Sequence, residues 1–436
     1  MAANDIKQTL RKLDFPYCAK EALGRIEILC SRPGKQMDLQ GDLMTEFIFG
    51  EIERRKKRNM TVAIQELQLI EVLSDFFQSP GGSPAVRNAV FLSLFPAESP
   101  RYKILGNLVS LAIATQNKAI LNATGIWMQQ LGSTSSQSVG LARHVLNDYF
   151  VLTPKSIDKL KQLPVLASHF TANLLTAIGE VYEDKDPPTE LLKLIGEWID
   201  ENPSLLLTPL MDNPALPSGG IPMTPITPIA GLFRWCILSP LRFDITVNSE
   251  QEDRKKSYSK IQQLLMDSVL RLKSSGTNKH AISAQHLAAI VRVLTTTLQT
   301  CTNVNSALCD LAMERLAQAV SAAMSANCIY GNKREYIQLF LVILLFFFIL
   351  YLLYSRFLST RCKLTSFLPA CNCHPPIFFH IFCSFLFCNT ICNLLIICRH
   401  IFIYFFFYFI FRSYRIIVFA TPFYKNKYLI EVNVHV

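Results

Sequence analysis

TVAIQELQLIEVLSDFFQS, residues Thr61–Ser79, decides the fold class. Ile64, Leu67, Ile70 with Val72, Leu73 and Phe76 with Phe77 recur at steps of three and four, which is the period of an amphipathic helix. Gln65, Glu66, Gln68 and Glu71 then fall on the opposite, solvent face. SPGGSPAV follows and supplies the stop.

The same pattern repeats outward from this stretch, and it predicts helices over 85–95, 102–114, 118–131, 138–150, 156–163, 166–182, 189–201, 229–238, 258–273, 284–300 and 305–326. Breakers stand where those helices should end. Thr153-Pro154-Lys155-Ser156 offers Thr153 or Ser156 as an N-cap, and Pro187-Pro188 and Pro203 bracket one helix. No run of strands is visible. The expectation is an all-α fold, an elongated helical array or α-solenoid of antiparallel helix pairs, HEAT-like only loosely because no strict sequence period appears. Residues 1–204 read as an N-terminal helical domain, 205–228 as a Pro-rich connector too rich in Pro to be helical, and 229–330 as a C-terminal helical domain.

The last hundred residues follow another compositional rule. All 17 Gly precede Tyr336, whereas 19 of the 30 Phe lie after it. From Ile337 onward 8 Lys/Arg face a single acid, Glu431, so most of the net charge of +10 comes from there. The first 336 residues hold 35 basic against 32 acidic groups, and the nucleic-acid reading of a basic chain loses its support. The uncharged run from Leu339 to Tyr354 approaches the roughly 20 residues of a membrane helix. A second apolar run, Ile391 to Phe411, carries Arg399 and His400 near its middle, where charge is costly. A richness in AT-coded Phe, Tyr, Ile, Asn and Lys without Gly, and a splice-donor-like codon series at Tyr330-Gly331-Asn332, point to a retained intron or mispredicted gene end for residues 331–436. A genuine membrane anchor is the alternative.

Few residues carry the marks of chemistry. Gly81-Gly82 and Gly219-Gly220 lack the spacing of a phosphate loop and read as turns. His144 and Asp148 share a helix face four residues apart but lack further ligands, and His169, His280 and His286 are isolated. Cys371-Asn372-Cys373-His374, with Cys362, Cys383 and Cys388 nearby, is half of a zinc spacing without its second half. The remaining cysteines are unpaired in spacing, and MAANDIKQTLRKLDF has no apolar signal core, so reduced intracellular thiols are expected. No catalytic, cofactor or metal site is assigned. Trp127, Trp198 and Trp235 fall in apolar stripes and read as core. The basic run Arg54, Arg55, Lys56, Lys57, Arg58 lies between two helix patterns; a solvated loop, a nuclear-import element and an RNA contact all fit it, the last least because no aromatic residues are interleaved.

LQGDLMTEFIF, IQELQLIEVLSDFFQ, ILGNLVSLAIA, LARHVLNDYFVLTPKSIDKLKQL, LLKLIGEWIDENPSLLL, TPIAGLFRWCILSPL and ERLAQAVSAAMSA occur in this order. Over roughly residues 5–328 the chain resembles the Integrator complex subunit 15 family. The resemblance implies a non-catalytic, all-helical scaffold in the nucleus, without cofactor, associated with the module of Integrator subunits 10, 13 and 14. It further implies support of small nuclear RNA 3′-end processing and transcription regulation through protein–protein contacts. RNA polymerase II is then an indirect partner, direct nucleic-acid contact is not implied, and a membrane would enter only if the tail is real. A membrane-anchored helical adaptor is the alternative function. Two departures stand out: after RWC only DITVNSEQEDRKKSYSK precedes the next helix, and the chain is not expected to continue past LAQA into further helix and a Pro/His/Gly-rich tail.

Overall fold

The computed structural model describes residues 3–31, 37–58, 60–79, 82–96, 101–211, 226–243, 249–274, 281–300, 306–339 and 341–343. Seventeen α-helices precede residue 326 among these residues, and further helix follows over 333–339. The seventeen are α1 Ala3–Arg11, α2 Tyr17–Cys30, α3 Met37–Lys57, α4 Ala63–Gln78, α5 Pro84–Leu94, α6 Tyr102–Ala114, α7 Lys118–Leu131 and α8 Ser136–Leu146, then α9 Asp158–Lys161, α10 Leu163–Leu166, α11 Ser168–Val181 and α12 Thr189–Glu201. After these come α13 Thr208–Met211, α14 Ile229–Leu238, α15 Ser249–Ser274, α16 Ala284–Thr300 and α17 Ser306–Ser325. The protein is an all-α helical array. The only strands among the described residues are β1 Ile282–Ser283 and β2 Ile329–Tyr330, a parallel pair in register Ile282 to Ile329. Two residues are too short a run to leave a period in the sequence.

Local chemistry fixes the ends. Ser83 accepts from the Val86 amide with Pro84 in the first turn of α5, Asn117 accepts from Ile120 at the start of α7, and Ser135 accepts from Ser138 at the start of α8. Thr153 stands at the N-cap of a 3-10 turn, Pro154–Ser156, without a side-chain cap hydrogen bond, and Ser156 lies inside that turn. The hydroxyl of Thr153 instead donates to the Asp148 carbonyl at 2.6 Å, and the Thr153 amide donates to the same oxygen. That five-residue closure turns the end of the expected 138–150 helix into a π-helical turn, Asn147–Leu152.

Two further expectations are corrected. The Pro-rich connector begins with structure: Leu205–Leu207 form a 3-10 turn and α13 one α-turn, because three consecutive leucines bury there and Pro209 sits in the first turn, where its missing amide proton costs nothing. Residues 212–225 lie outside the described residues. Helix α15 starts at Ser249, nine residues earlier than the apolar period implies. Its polar opening is held by Glu250–Arg254 and Glu252–Lys255 pairs along the helix, and by Lys193–Asp253 and Lys260–Asp200 pairs to α12.

Packing joins α2 to α3, α7 to α5 and α11, α8 to α11, α12 to α15, and α14 to α15 and α17. One apolar core runs through them, with Leu23, Leu73, Phe91, Leu108, Phe170, Ile195, Phe233 and Leu287 excluded from water. It passes across residues 205–228, since α11 touches both α13 and α14. At the α11–α14 crossing a Cβ on Gly179 would lie 3.5 Å from the Gly231 Cα, so two glycines let the backbones meet. The three tryptophans are core residues whose indoles donate to the carbonyls of Phe95, Leu160 and Gly179, respectively.

Past α17 the chain does continue into helix, over residues 333–339. Asn332 and Glu335 build a reciprocal cap: Asn332 Oδ1 accepts from the Glu335 amide at 2.9 Å, and Glu335 Oε2 from the Asn332 amide at 3.0 Å. The Tyr336 hydroxyl donates to Ile329, and Leu339 and Ile343 join the core. No helix among the described residues is long and apolar enough to cross a membrane. Most of the Leu339–Tyr354 run, the whole Ile391–Phe411 run and Cys362–Cys388 lie outside the described residues.

Candidate interaction surface

Helix α4 buries Glu66, Leu69, Ile70, Leu73, Ser74 and Phe77. This stripe is continuous at steps of three and four, and it is rotated from the one expected. Ile64 and Leu67 lie outside it, 65 % and 67 % exposed, while Glu66 is 5 % exposed. The expectation is overturned because Glu66 does not enter the core alone. Lys56 from α3 reaches its Oε1 at 3.0 Å and Lys103 from α6 its Oε2 at 3.4 Å. Burial raises the pKa of such a carboxyl, but the hydrogen bonds and charges of Lys56 and Lys103 outweigh it and hold Glu66 below its ordinary value.

The basic run closes α3. Arg54–Lys57 form its last turn, where cations meet the helix's negative end, and Arg58 is in the turn that follows. The first four are therefore helical, with Arg54, Lys56 and Lys57 exposed to solvent. Arg54 and Arg55 share one carboxylate, Glu51, at 3.0 and 2.7 Å. Lys56 and Lys103 share Glu66. Lys57 and Arg58 are exposed and have no side-chain partner among the described residues. The amide of Met60 donates to the Arg55 carbonyl, folding the half-exposed Met60 back beside this turn. Met60, Ile64 and Leu67 are exposed, following the cations of the turn in sequence, with Glu71 and Asp75 exposed farther along α4.

His144 and Asp148 do meet, in a cluster that ties α6 to α8. His144 Nε2 lies 3.1 Å from Asn107 Oδ1 and 3.3 Å from Asp148 Oδ2. The Ser110 hydroxyl donates to Asp148 Oδ2 at 2.5 Å, and the Tyr149 hydroxyl donates to the Ser110 carbonyl. Ser, His and Asp are thus together, but the serine proton is directed to the carboxylate rather than to the imidazole, which is not the order of a nucleophile and its base. A Cβ at Gly106 would come within 2.6 Å of the His144 ring, so the imidazole is a packing element across this crossing. Burial pushes the Tyr149 phenol up to about 12, with Asp148 adding to it.

His169 is buried against Gly125 beside Asn173, and burial lowers the pKa of His286. His280 lies outside the described residues. Burial raises the thiols of Cys236 and Cys328 to about 12. Among the described residues no three His, Cys, Asp or Glu side chains stand where they could share a metal ion. Cys371, Cys373 and His374 lie outside the described residues.

Buried Arg315 marks a second place that the sequence did not disclose. It is 4 % exposed, donating from one guanidinium nitrogen to the Cys236 carbonyl at 2.7 Å and to Ser239 Oγ at 3.0 Å, and from the other to Ser259 Oγ at 2.9 Å. No period within α17 marks an arginine that leaves for the end of α14.

Comparison with known proteins gives a consistent picture. A family model for Integrator complex subunit 15 matches residues 4–342. An Integrator complex subunit 15 of Drosophila melanogaster is 34 % identical over 365 residues, covering 76 % of this chain and 92 % of its own length. Subunits of the same name from Mus musculus and Homo sapiens are each 28 % identical, covering 76 % of this chain and 82 % of their own.

Proposed function

Because the chain belongs to the Integrator complex subunit 15 family, we propose that it works as a non-catalytic scaffold subunit of the nuclear Integrator complex. Its role is to hold other subunits by protein–protein contacts, in support of small nuclear RNA 3′-end processing and regulation of RNA polymerase II transcription. The observation that carries this is the family match across residues 4–342, which takes in α2 to α17 and all of α1 but its first residue. The exposed aliphatic residues at the start of α4 support a contact role, since apolar side chains on one exposed face fit a partner better than they fit water. The module of Integrator subunits 10, 13 and 14 is the proposed immediate partner, with the polymerase reached through the complex.

Affinity purification of the tagged full chain from nuclear extract tests the assignment. Co-recovery of subunits 10, 13 and 14 is expected. Recovery of no Integrator subunit, or carbonate-resistant membrane association of the endogenous protein, would overturn it. Nuclear entry is assigned to the run Arg54–Arg58. A fluorescent fusion carrying Lys57→Ala and Arg58→Ala should shift toward the cytoplasm, and an unchanged nuclear fraction would remove that assignment.

A further inference from the structure

We propose that the exposed face formed by Met60, Ile64 and Leu67 is the seat of an amphipathic helix from another subunit, and that this helix carries Asp and Glu where it passes over the α3–α4 turn. The inference rests on the reading of this chain as a scaffold that binds other subunits. Ile64 and Leu67 are three residues apart on α4, hence neighbours on one side, and both are about two-thirds exposed although helix α4 already has a complete buried stripe of its own.

Charge selects the occupant. Around the turn three carboxylates, Glu51, Glu53 and Glu66, serve five cations, Arg54, Arg55, Lys56, Arg101 and Lys103, and two further cations, Lys57 and Arg58, have none among the described residues. A helix bringing carboxylates would complete these pairs while its apolar stripe covered Ile64 and Leu67. A second copy of this same face laid parallel would set cation against cation, and a crosslink to a second copy identifies the antiparallel arrangement. Single-stranded RNA is poorly served, because the side chains at the centre are aliphatic and offer no ring for base stacking. Farther along the exposed side of α4 stand Glu71 and Asp75, which oppose an anionic lipid surface and fix a direction. The partner's acidic end lies over Lys57, Arg58 and Lys103, and its other end, neutral or basic, over Asp75.

The test uses the purified full chain added to nuclear extract, so that import plays no part. With a photoreactive residue at position 67, irradiation should join the chain to a net-acidic helical segment of another Integrator subunit. Lys57→Glu with Arg58→Glu should reduce recovery of that subunit roughly tenfold, as like charges are brought together at the rim. Both positions are exposed, and an unchanged melting temperature checks that the variant is folded. If the unsubstituted chain recovers Integrator subunits but position 67 joins to none of them, joins to a second copy or to RNA, or if Leu67→Glu abolishes co-sedimentation with phosphatidylserine vesicles, the docking site is wrong and the scaffold reading stands. If the unsubstituted chain recovers no subunit, both fall.

Discussion

Glu66 and Arg315 are both charges withdrawn from water, and they are compensated in opposite ways. Glu66 is met by two lysines, 45 % and 67 % exposed, that reach in from neighbouring helices. Arg315 is met by no carboxylate among its hydrogen-bond partners; its acceptors are one carbonyl and two hydroxyls. The Cys236 carbonyl is one of the last in α14, so the guanidinium also faces the negative end of that helix. Burial accordingly pulls the pKa of Arg315 below its ordinary value, whereas that of Glu66 is also lowered, but by its partners and against burial. A charge balanced by flexible, solvated groups remains coupled to salt and to whatever lands on the surface. A charge balanced by a helix end and neutral groups is a fixed clamp between α14, α15 and α17.

The Arg315 clamp should be the more sensitive of the two to substitution. Arg315→Ala removes three hydrogen bonds and leaves a cavity, and should cost about 4 kcal/mol in urea unfolding. Arg315→Lys retains the charge but cannot present a planar fork to acceptors on two helices, and should cost about 2 kcal/mol. A variant as stable as the parent would show that the clamp is dispensable.

Smaller effects are expected around Glu66. Glu66→Gln should cost about 1 kcal/mol at neutral pH, because both lysines can turn back to water. Sodium chloride near 1 M should remove most of that difference, while the Arg315→Ala deficit should persist. Their pH profiles should separate as well. The folded-state pKa of Glu66 lies below its ordinary 4.5, so its contribution is complete above that value and disappears as pH falls through the lower folded-state one. Glu66→Gln should therefore lose its deficit in acid. Arg315 stays protonated throughout, and its variants should be displaced evenly from the parent across the same range.

The smallest effect belongs to the exposed face. Ile64→Ala with Leu67→Ala should alter the stability of the isolated chain by less than about 0.5 kcal/mol. A loss of several kcal/mol would mean that these side chains serve the fold rather than a partner.

Much of this fold was legible in advance, and helix α12 shows why. Its apolar residues Leu191, Leu192, Leu194, Ile195, Trp198 and Ile199 are all buried and its Lys193, Glu197 and Asp200 all exposed, so polarity and position coincide. Helix α4 separates the two. It has aliphatic residues on both sides, and the stripe from Leu69 through Leu73 to Phe77 runs back onto a glutamate. Only the lysines at positions 56 and 103, remote in sequence and adjacent in space, permit that glutamate to be the inward residue. The opening of α15 was obscured for a related reason, since its stabilising partners Lys193 and Asp200 belong to α12. At the candidate surface, the basic run could be read from sequence, but its sharing of carboxylates and the outward turn of Ile64 and Leu67 could not.

The Arg315 clamp also bears on how the chain is born. Arg315 follows Cys236 by 79 residues, and ribosomes add about 5–20 residues per second, so the end of α14 waits about 4–16 s for its donor. During that interval a helix otherwise lined with Phe233, Trp235 and Ile237 has left the exit tunnel without the residue that locks it in place. The C-terminal half of the molecule therefore settles only after α17 emerges, and any chain released before that helix would present to chaperones the side of α14 that α17 covers.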